Sequence, residues 1–225
     1  MNSLIGDSRV RGVKVGKLQS KIVDVWCAPG ATFSRLEEEM RKSIILHHGE
    51  DPIMGPHHIY ISGGICNITK RLKVANRNYE EVIFETSKSS QIINSTIDQI
   101  NNLRQKTINE NATPIFCTLF PMNLSQWNTA RLNQNKTMYL SYAEEYNSMQ
   151  SELNKAVLTI NSHIFNTNKI LNLSTPQFDK QLIHNRKNYK SFKYSLLADG
   201  CHPNTTLNNQ LANSLYVAIT KNRQN

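Results

Sequence analysis

Two short stretches near opposite ends of the chain carry residue types that could cooperate in nucleophilic catalysis. The first is LIGDSR, in which an apolar run ends abruptly and Ser8 follows directly after Gly-Asp. A serine hydroxyl becomes an effective nucleophile when a neighbouring base accepts its proton and a third group orients that base. Ser8 is therefore either a nucleophile at the end of a first strand or a serine in a turn, and its partners must come from elsewhere.

The second stretch is LLADGCHPN, in which Asp199 precedes His202 by three residues. Gly200 permits a tight turn between them, so the carboxylate can reach one imidazole nitrogen while the other points outward. A carboxylate in that position fixes the histidine tautomer and stabilises the imidazolium that forms on proton uptake. We interpret the other six histidines as structural or surface residues, because none of them is preceded by an acid three residues earlier.

The hydrophobic pattern predicts the elements that would position these residues. Short β-like runs alternate with longer stretches of helical period, and the runs lie at 2–6, 21–27, 57–62, 113–119 and 169–173. Strands that alternate with helices indicate a parallel sheet covered by helices on both faces. We therefore predict an α/β fold.

Apolar stripes at helical spacing mark the predicted helices, and these stripes start at Phe33, Ile93, Met138 and Leu207. Ser34 and Glu37 fit a capping box at the start of the first helix. Two segments, 70–86 and 177–197, stay ambiguous between strand and loop.

In a parallel α/β sheet, function concentrates in the loops that leave the carboxyl ends of the strands. The sequence GDS leaves the first predicted strand at 6–8, APG leaves the second at 28–30, and GGICN leaves the third at 63–67. We expect these three loops to converge on one edge of the sheet.

Length and composition set the class of protein. A chain of 225 residues with 39% hydrophobic and 19% charged residues is typical of one water-soluble domain, so we predict a single domain over 1–225. No apolar stretch is long enough for a membrane span, and no signal peptide is recognisable, so we expect an intracellular location. The four cysteines lack CxxC spacing, so we expect no metal site and no cofactor.

The net charge of +9 suggests an anionic partner or a well-solvated surface. Arg9 and Arg11 directly follow Ser8, so they could contact a carboxylate or phosphate on a substrate, or they could be ordinary surface charge. Basic clusters at 9–21, 70–77 and 180–193 could contact nucleic acid without sequence preference. No helix-turn-helix or RNA-recognition motif supports specific recognition.

The order of these blocks resembles the SGNH (GDSL-type) hydrolases. GDS follows the first strand, a glycine follows the second, a glycine-rich block follows the third, and DGCHP precedes the last helix. The resemblance implies a flavodoxin-like three-layer α/β/α sandwich with a mainly five-stranded parallel sheet. It also implies ester hydrolysis through an acyl-enzyme, with Ser8 as nucleophile, His202 as general base and then acid, and Asp199 as the orienting carboxylate.

The third block departs from the family pattern, in which an asparagine amide donates to the oxyanion beside backbone N–H groups. An ungapped alignment puts Gly64 on the family glycine and Cys66 on the asparagine, with Asn67 next. A thiol is a poor hydrogen-bond donor compared with a carboxamide. Either Asn67 reaches in, or the oxyanion hole rests on the N–H groups of Ser8 and Gly30, or Cys66 marks a site not selected for fast turnover.

Two functions from different classes follow. The first is a serine esterase or deacylase that hydrolyses an O-acyl or O-acetyl ester of a small molecule, glycan or lipid. The second is a catalytically weakened SGNH-like domain that acts as a basic RNA-binding module, because domains of this kind are known to have taken that role. The intact set of Ser8, Asp199 and His202 favours the first, whereas the net charge and Cys66 favour the second.

Overall fold

The computed structural model describes residues 1–13, 24–48, 56–73, 80–134, 142–186 and 189–224. The strands within these ranges are β1 (Asn2–Gly6), β2 (Asp24–Cys27), β3 (His58–Ser62), β4 (Lys70–Lys73), β5 (Glu80–Ile83), β6 (Thr113–Phe116), β7 (Ile183–Arg186) and β8 (Tyr189–Phe192). The helices are α1 (Phe33–His48), α2 (Ile65–Ile68), α3 (Ser89–Asn109), α4 (Leu124–Gln134), α5 (Tyr146–Ile170) and α6 (Thr205–Asn222).

The central sheet of the described residues is parallel, with strand order β2-β1-β3-β6. Gly6, the last residue of β1, pairs with Cys27 at the end of β2 and with Ser62 at the end of β3. Because the three strands end at the same level, the loops that follow them meet at one edge. The convergence expected from the sequence is confirmed.

Both faces of this sheet are apolar, as a parallel sheet between two helical layers requires. Ile5, Ile61 and Phe116 face one core cluster, whereas their neighbours Leu4 and Tyr60 face a second cluster on the opposite side. This alternation follows from the two-residue period of a strand, which sends successive side chains to opposite faces.

Helices cover both faces, so the predicted three-layer α/β/α arrangement is confirmed. The apolar stripes of α1, α3 and α5 pack into the cluster that contains Ile5. On the other face, α6 packs with Phe178, Leu182 and Leu197, which belong to the segment between α5 and α6.

The predicted fifth strand over 169–173 is wrong, because α5 continues through Ile170. The buried face of α5 extends to Asn168, whose amide donates to the carbonyl of Phe116 at 2.8 Å. The helix ends at Ile170. Asn172, just beyond it, has a left-handed φ of 55°, and the N–H of Leu173 donates to the carbonyl of Asn168 at 2.8 Å. This is a Schellman ending, for which asparagine is a suitable residue.

The chain after α5 runs beside the sheet without forming a strand. The N–H of Thr118, beyond the end of β6, donates to the carbonyl of Pro176 at 3.0 Å. A proline has no N–H to return to a strand ladder. The sheet therefore has four strands in the described residues, rather than the five that the family resemblance implied.

The two segments that the sequence left ambiguous each contain an antiparallel strand pair. β4 pairs with β5, and β7 pairs with β8. The first pair is held against α4 by Asn128, whose side chain accepts from the N–H of Val82 at 2.9 Å and donates to the carbonyl of the same residue at 2.8 Å. Asn128 is 2% exposed, so these two bonds fix the hairpin from within the fold.

Replacing Asn128 tests this attachment. Asn128→Leu has nearly the same shape but leaves both backbone groups of Val82 buried without their partner, so we expect a loss of about 1–3 kcal/mol in the free energy of unfolding. Urea unfolding measures the loss. Gln105→Leu, at an exposed position of α3, is the control and should change stability by less than about 0.5 kcal/mol. Equal effects of the two substitutions would contradict this role for Asn128.

Candidate active site

Ser8 begins a short 3₁₀ turn, Ser8–Val10, immediately beyond the end of β1. Asp7 caps this turn in an extended conformation, and its carboxylate accepts the N–H of Arg9 at 3.0 Å. The N–H of Asp7 donates to the carbonyl of Ser62 at 3.2 Å, so the turn is also tied to β3. These bonds place Ser8 at the carboxyl edge of the central strands.

A buried ion pair lies directly beneath this turn. The Nε atom of Arg9 donates to both carboxylate oxygens of Asp7, at 2.9 and 3.0 Å, and both side chains are 2% exposed. Nη1 of Arg9 donates to the carbonyl of Phe120 at 3.1 Å, and the guanidinium lies 4.5 Å from the centre of the Phe120 ring. Burial alone would lower the pKa of Arg9, but the adjacent carboxylate raises it overall. Arg9 therefore binds Asp7 within the protein, and the structure does not support the prediction that Arg9 contacts an anionic substrate.

Asp199 and His202 occupy a tight loop before α6. Oδ1 of Asp199 accepts the N–H groups of Cys201 and His202 at 3.0 and 2.8 Å, and Oδ2 lies 2.7 Å from Nδ1 of His202. Partial burial by itself would raise the pKa of Asp199, but the hydrogen bonds from His202 and Cys201 lower it below its ordinary value. Asp199 is therefore ionised at neutral pH and accepts from Nδ1.

Gly200 is required in this loop. Its φ is +85°, and a Cβ there would lie 2.7 Å from the N atom of Trp127 and 2.8 Å from the carbonyl oxygen of Asn123. The N–H of Asn123 also donates to the carbonyl of Gly200 at 2.7 Å, which docks the loop on the start of α4. The close approach excludes any side chain at this position.

The loop brings His202 to Ser8, although 194 residues separate the two in the chain. Nε2 of His202 lies 3.0 Å from Oγ of Ser8. Because Nδ1 is engaged by the carboxylate of Asp199, we assign Nε2 as the acceptor of the serine proton. The ring of Trp127 packs against the imidazole, with ring centres 5.4 Å apart. The three residues singled out in the sequence form one continuous hydrogen-bonded chain.

This chain opens into a cleft of about 510 Å³, and Ser8, Gly30, Cys66, Trp127 and His202 are among its lining residues. Pro29 and Gly30 form the centre of a type II turn after β2, because Gly30 has a φ of +68° and the N–H of Ala31 donates to the carbonyl of Ala28 at 3.1 Å. Among the described residues, no acceptor occupies the backbone N–H of Ser8 or of Gly30.

Asn67 faces away from this cleft. Its Oδ1 accepts the N–H of Phe33, the first residue of α1, at 3.1 Å, and its Nδ2 donates to Gln99 on α3. The capping box predicted from Ser34 and Glu37 is therefore wrong: Ser34 lies inside α1, and Asn67 supplies the cap from another loop. One alternative for the third block was that Asn67 reaches into the oxyanion hole. The structure does not bring Asn67 to Ser8, so it does not support that alternative.

Cys66 lies in α2 and lines the cleft where the family resemblance places an asparagine. Burial raises the pKa of this thiol above its ordinary value, and the charge of Arg9 only partly opposes the effect. At neutral pH, Cys66 therefore presents a protonated thiol, which is a weak hydrogen-bond donor.

Arg71, Trp127 and Arg131 are among the cleft residues that the sequence analysis did not single out. Arg71 lies in a segment whose structure was ambiguous, whereas Trp127 and Arg131 lie on α4, which no predicted apolar stripe covers. Arg11 was anticipated, and it is an exposed residue at the edge of the cleft.

Comparison with known proteins finds no match by sequence, either to a protein-family model or to a curated protein. By structure, the chain resembles a GDSL-like lipase from Bacteroides thetaiotaomicron, with a TM-score of 0.61 and 12% identity over 98% of this chain and 87% of the lipase. It resembles an acetylxylan esterase from Geobacillus stearothermophilus, with a TM-score of 0.51 and 15% identity over 97% of this chain and 93% of the esterase.

The OSK domain of Drosophila Oskar is also similar, with a TM-score of 0.54 and 12% identity over 96% of this chain and 86% of that domain. The chain therefore has the fold of the SGNH hydrolases, as its sequence blocks predicted. Because these neighbours are only 10–16% identical in sequence, the structural similarity establishes the fold alone. The chemistry has to be argued from the residues of the site.

No helix among the described residues is long and apolar enough to cross a membrane. The described part of the chain has no group of three or more histidine, cysteine, aspartate or glutamate side chains that could hold a metal ion. The four cysteines are free thiols.

The ion pair beneath Ser8 can be tested by a double-mutant cycle. Asp7→Asn and Arg9→Met should each cost about 3–5 kcal/mol of unfolding free energy, because each leaves one buried charge without its partner. The double variant should cost clearly less than the sum of the two. Urea unfolding gives all three values. Glu38→Gln breaks an exposed pair with Arg35 and should cost less than about 1 kcal/mol. Additive losses in the cycle would contradict the interpretation.

Proposed function

We propose that the protein is a serine hydrolase that cleaves an ester through an acyl-enzyme intermediate. The observation that carries the proposal is the hydrogen-bonded chain from Oγ of Ser8 through His202 to Asp199, opening into a cleft. Nucleophilic acyl transfer requires a nucleophile, a base within hydrogen-bond reach of it and a third group that orients the base. The structural neighbours include esterases and lipases, which agrees with this class of reaction.

The roles of the three residues follow from their contacts. His202 accepts the proton of Ser8 as Oγ bonds to the carbonyl carbon of the ester, and it passes that proton to the leaving alcohol as the ester C–O bond breaks. Water then adds to the acyl-enzyme with His202 again as base, which releases the acid and restores Ser8. Asp199 holds Nδ1 throughout and stabilises the imidazolium.

The backbone N–H groups of Ser8 and Gly30 are the donors that we assign to the oxyanion. Both residues line the cleft, and neither N–H has an acceptor among the described residues. Cys66 occupies the third position but contributes a weak donor. Since one missing oxyanion donor typically costs about a hundred- to a thousandfold in rate, we expect slow turnover compared with a complete site.

The substrate class that we assign is an O-acyl or O-acetyl ester of a small molecule, glycan or lipid. A binding module for nucleic acid is the alternative, since the chain has a net charge of +9. Binding alone would not require an aspartate, a histidine and a serine in mutual hydrogen-bond contact. That chain of contacts favours hydrolysis.

Fluorophosphonate labelling followed by intact-mass measurement tests the proposal without knowledge of the substrate. The wild-type protein should gain one adduct, and Ser8→Ala should gain none. His202→Ala should react about a hundred- to ten-thousandfold more slowly, because the general base is lost. Ser34→Ala, at an exposed position of α1, should label like the wild type. A wild-type protein that stays unlabelled would refute the hydrolase, and salt-dependent RNA binding would then be measured.

Completing the oxyanion hole provides a gain-of-function test. Cys66→Asn places a carboxamide where the thiol stands, so we expect hydrolysis of 4-nitrophenyl acetate to become at least about tenfold faster. Cys66→Ala should stay within a few-fold of the wild type, because the thiol donates weakly. The opposite pattern, a large loss in both variants, would show that the thiol itself is needed.

A further inference from the structure

The active-site cleft concentrates positive charge from separate parts of the chain. Arg11 comes from the turn after β1, Arg71 from β4 and Arg131 from α4, and all three line the cleft. Among the described lining residues, the only carboxylate is Asp7, and it is neutralised by Arg9 in the buried pair. The cleft therefore carries an excess of cationic groups around Ser8.

Two of these arginines lie on the side of the cleft where the oxyanion donors are. A Cβ added to Gly30 would lie 3.5 Å from Nη2 of Arg71, so this guanidinium is next to the turn that follows β2. Arg11 approaches Cys27 at the end of β2 closely enough that its charge and a hydrogen bond oppose the rise in the thiol pKa caused by burial. Neither Arg11 nor Arg71 forms an ion pair with a carboxylate of the described residues.

The third arginine lies on the histidine side. The guanidinium of Arg131 lies 4.7 Å from the centre of the Trp127 ring, and that ring is 5.4 Å from the ring of His202. Stacking on an aromatic ring restrains the position of a guanidinium. The cleft thus has one cationic group beside the turn that carries Gly30 and another beside the ring that contacts His202.

A basic surface alone does not explain this placement. A protein with a net charge of +9 has arginines and lysines on many faces, and most described ones on α1 pair with glutamates one turn away, as Arg35 and Arg41 do. In the cleft, three arginines converge from elements distant in sequence, and no second acid is among the described lining residues. Guanidinium groups in a partly enclosed site bind carboxylate and phosphate oxygens in bidentate fashion.

We propose that this cleft selects esters that carry an anionic group, a carboxylate or a phosphate, on the part of the molecule next to the scissile bond. Arg11 and Arg71 bind the anion, and Arg131 adds to the positive charge of the cleft. This selectivity rests on the proposed hydrolase function, because it concerns the same site. It predicts that charge on the substrate, rather than acyl length, governs kcat/KM.

Paired model esters test the selectivity. 4-Nitrophenyl hemisuccinate and 4-nitrophenyl butyrate have acyl chains of equal length, and only the first is anionic. 4-Acetoxybenzoate and its methyl ester place the charge on the alcohol side. In at least one pair, the anionic ester should have the higher kcat/KM. In Arg71→Gln and Arg11→Gln, the ratio of kcat/KM for the anionic ester to that for the neutral ester should fall about tenfold.

Arg41→Gln is the matched control, because it removes the same charge from an exposed position of α1 outside the cleft. It should leave the preference intact. A preference that is absent from both pairs in the wild type, or that falls equally in Arg41→Gln, overturns the proposal. Raising the salt concentration should reduce the preference, since ionic strength screens exposed charges.

A binding measurement separates failure of this inference from failure of the hydrolase. Trp127 reports on the cleft, and Trp26→Phe removes the other tryptophan. Titration of Trp26→Phe/Ser8→Ala with succinate, and separately with inorganic phosphate, should give a saturable fluorescence change for at least one anion. Adding Arg71→Gln should weaken that binding about tenfold. If fluorophosphonate labelling fails but this binding is found, the anion site stands without the hydrolase; if neither anion binds, the site is refuted even in an active enzyme.

Discussion

The buried contact between Asp7 and Arg9 is the interaction on which the site depends. It closes the turn at the end of β1, where the chain must leave the sheet and expose a serine at once. Two opposite charges removed from water stay together because separating them would leave each without solvation. The guanidinium also donates to the carbonyl of Phe120, in the segment that follows the edge strand β6. The ion pair therefore connects the turn that carries Ser8 to that segment.

The rest of the site depends on register. Because β1, β2 and β3 end level with one another, the loops that carry Ser8, Gly30 and Cys66 lie next to one another. His202 is positioned in another way. It lies in a loop that is docked on the start of α4 by a backbone hydrogen bond between Asn123 and Gly200. The sheet thus positions Ser8 and the two N–H groups that we propose as oxyanion donors, whereas α4 positions His202.

The sequence predicted the features whose cause is local. Asp199 and His202 were recognisable because three-residue spacing around a glycine is itself the geometry of the contact. The role of Asn67 was not recognisable, because its partner Phe33 lies 34 residues away. The strand expected over 169–173 is wrong because a short apolar run does not by itself distinguish a strand from the end of a helix, and in the structure Ile170 and Leu171 are exposed at the end of α5. Arg71 could be placed only once its hairpin was known.

The separation of 194 residues between Ser8 and His202 bears on when their contact forms during folding. Contacts between distant residues form after the loop-closure entropy of the intervening chain has been overcome. A partly folded chain with a complete sheet has its serine but no base beside it. The proposed activity therefore requires the loop that carries His202 to be docked on α4, and a molecule without that docking lacks the base beside Ser8.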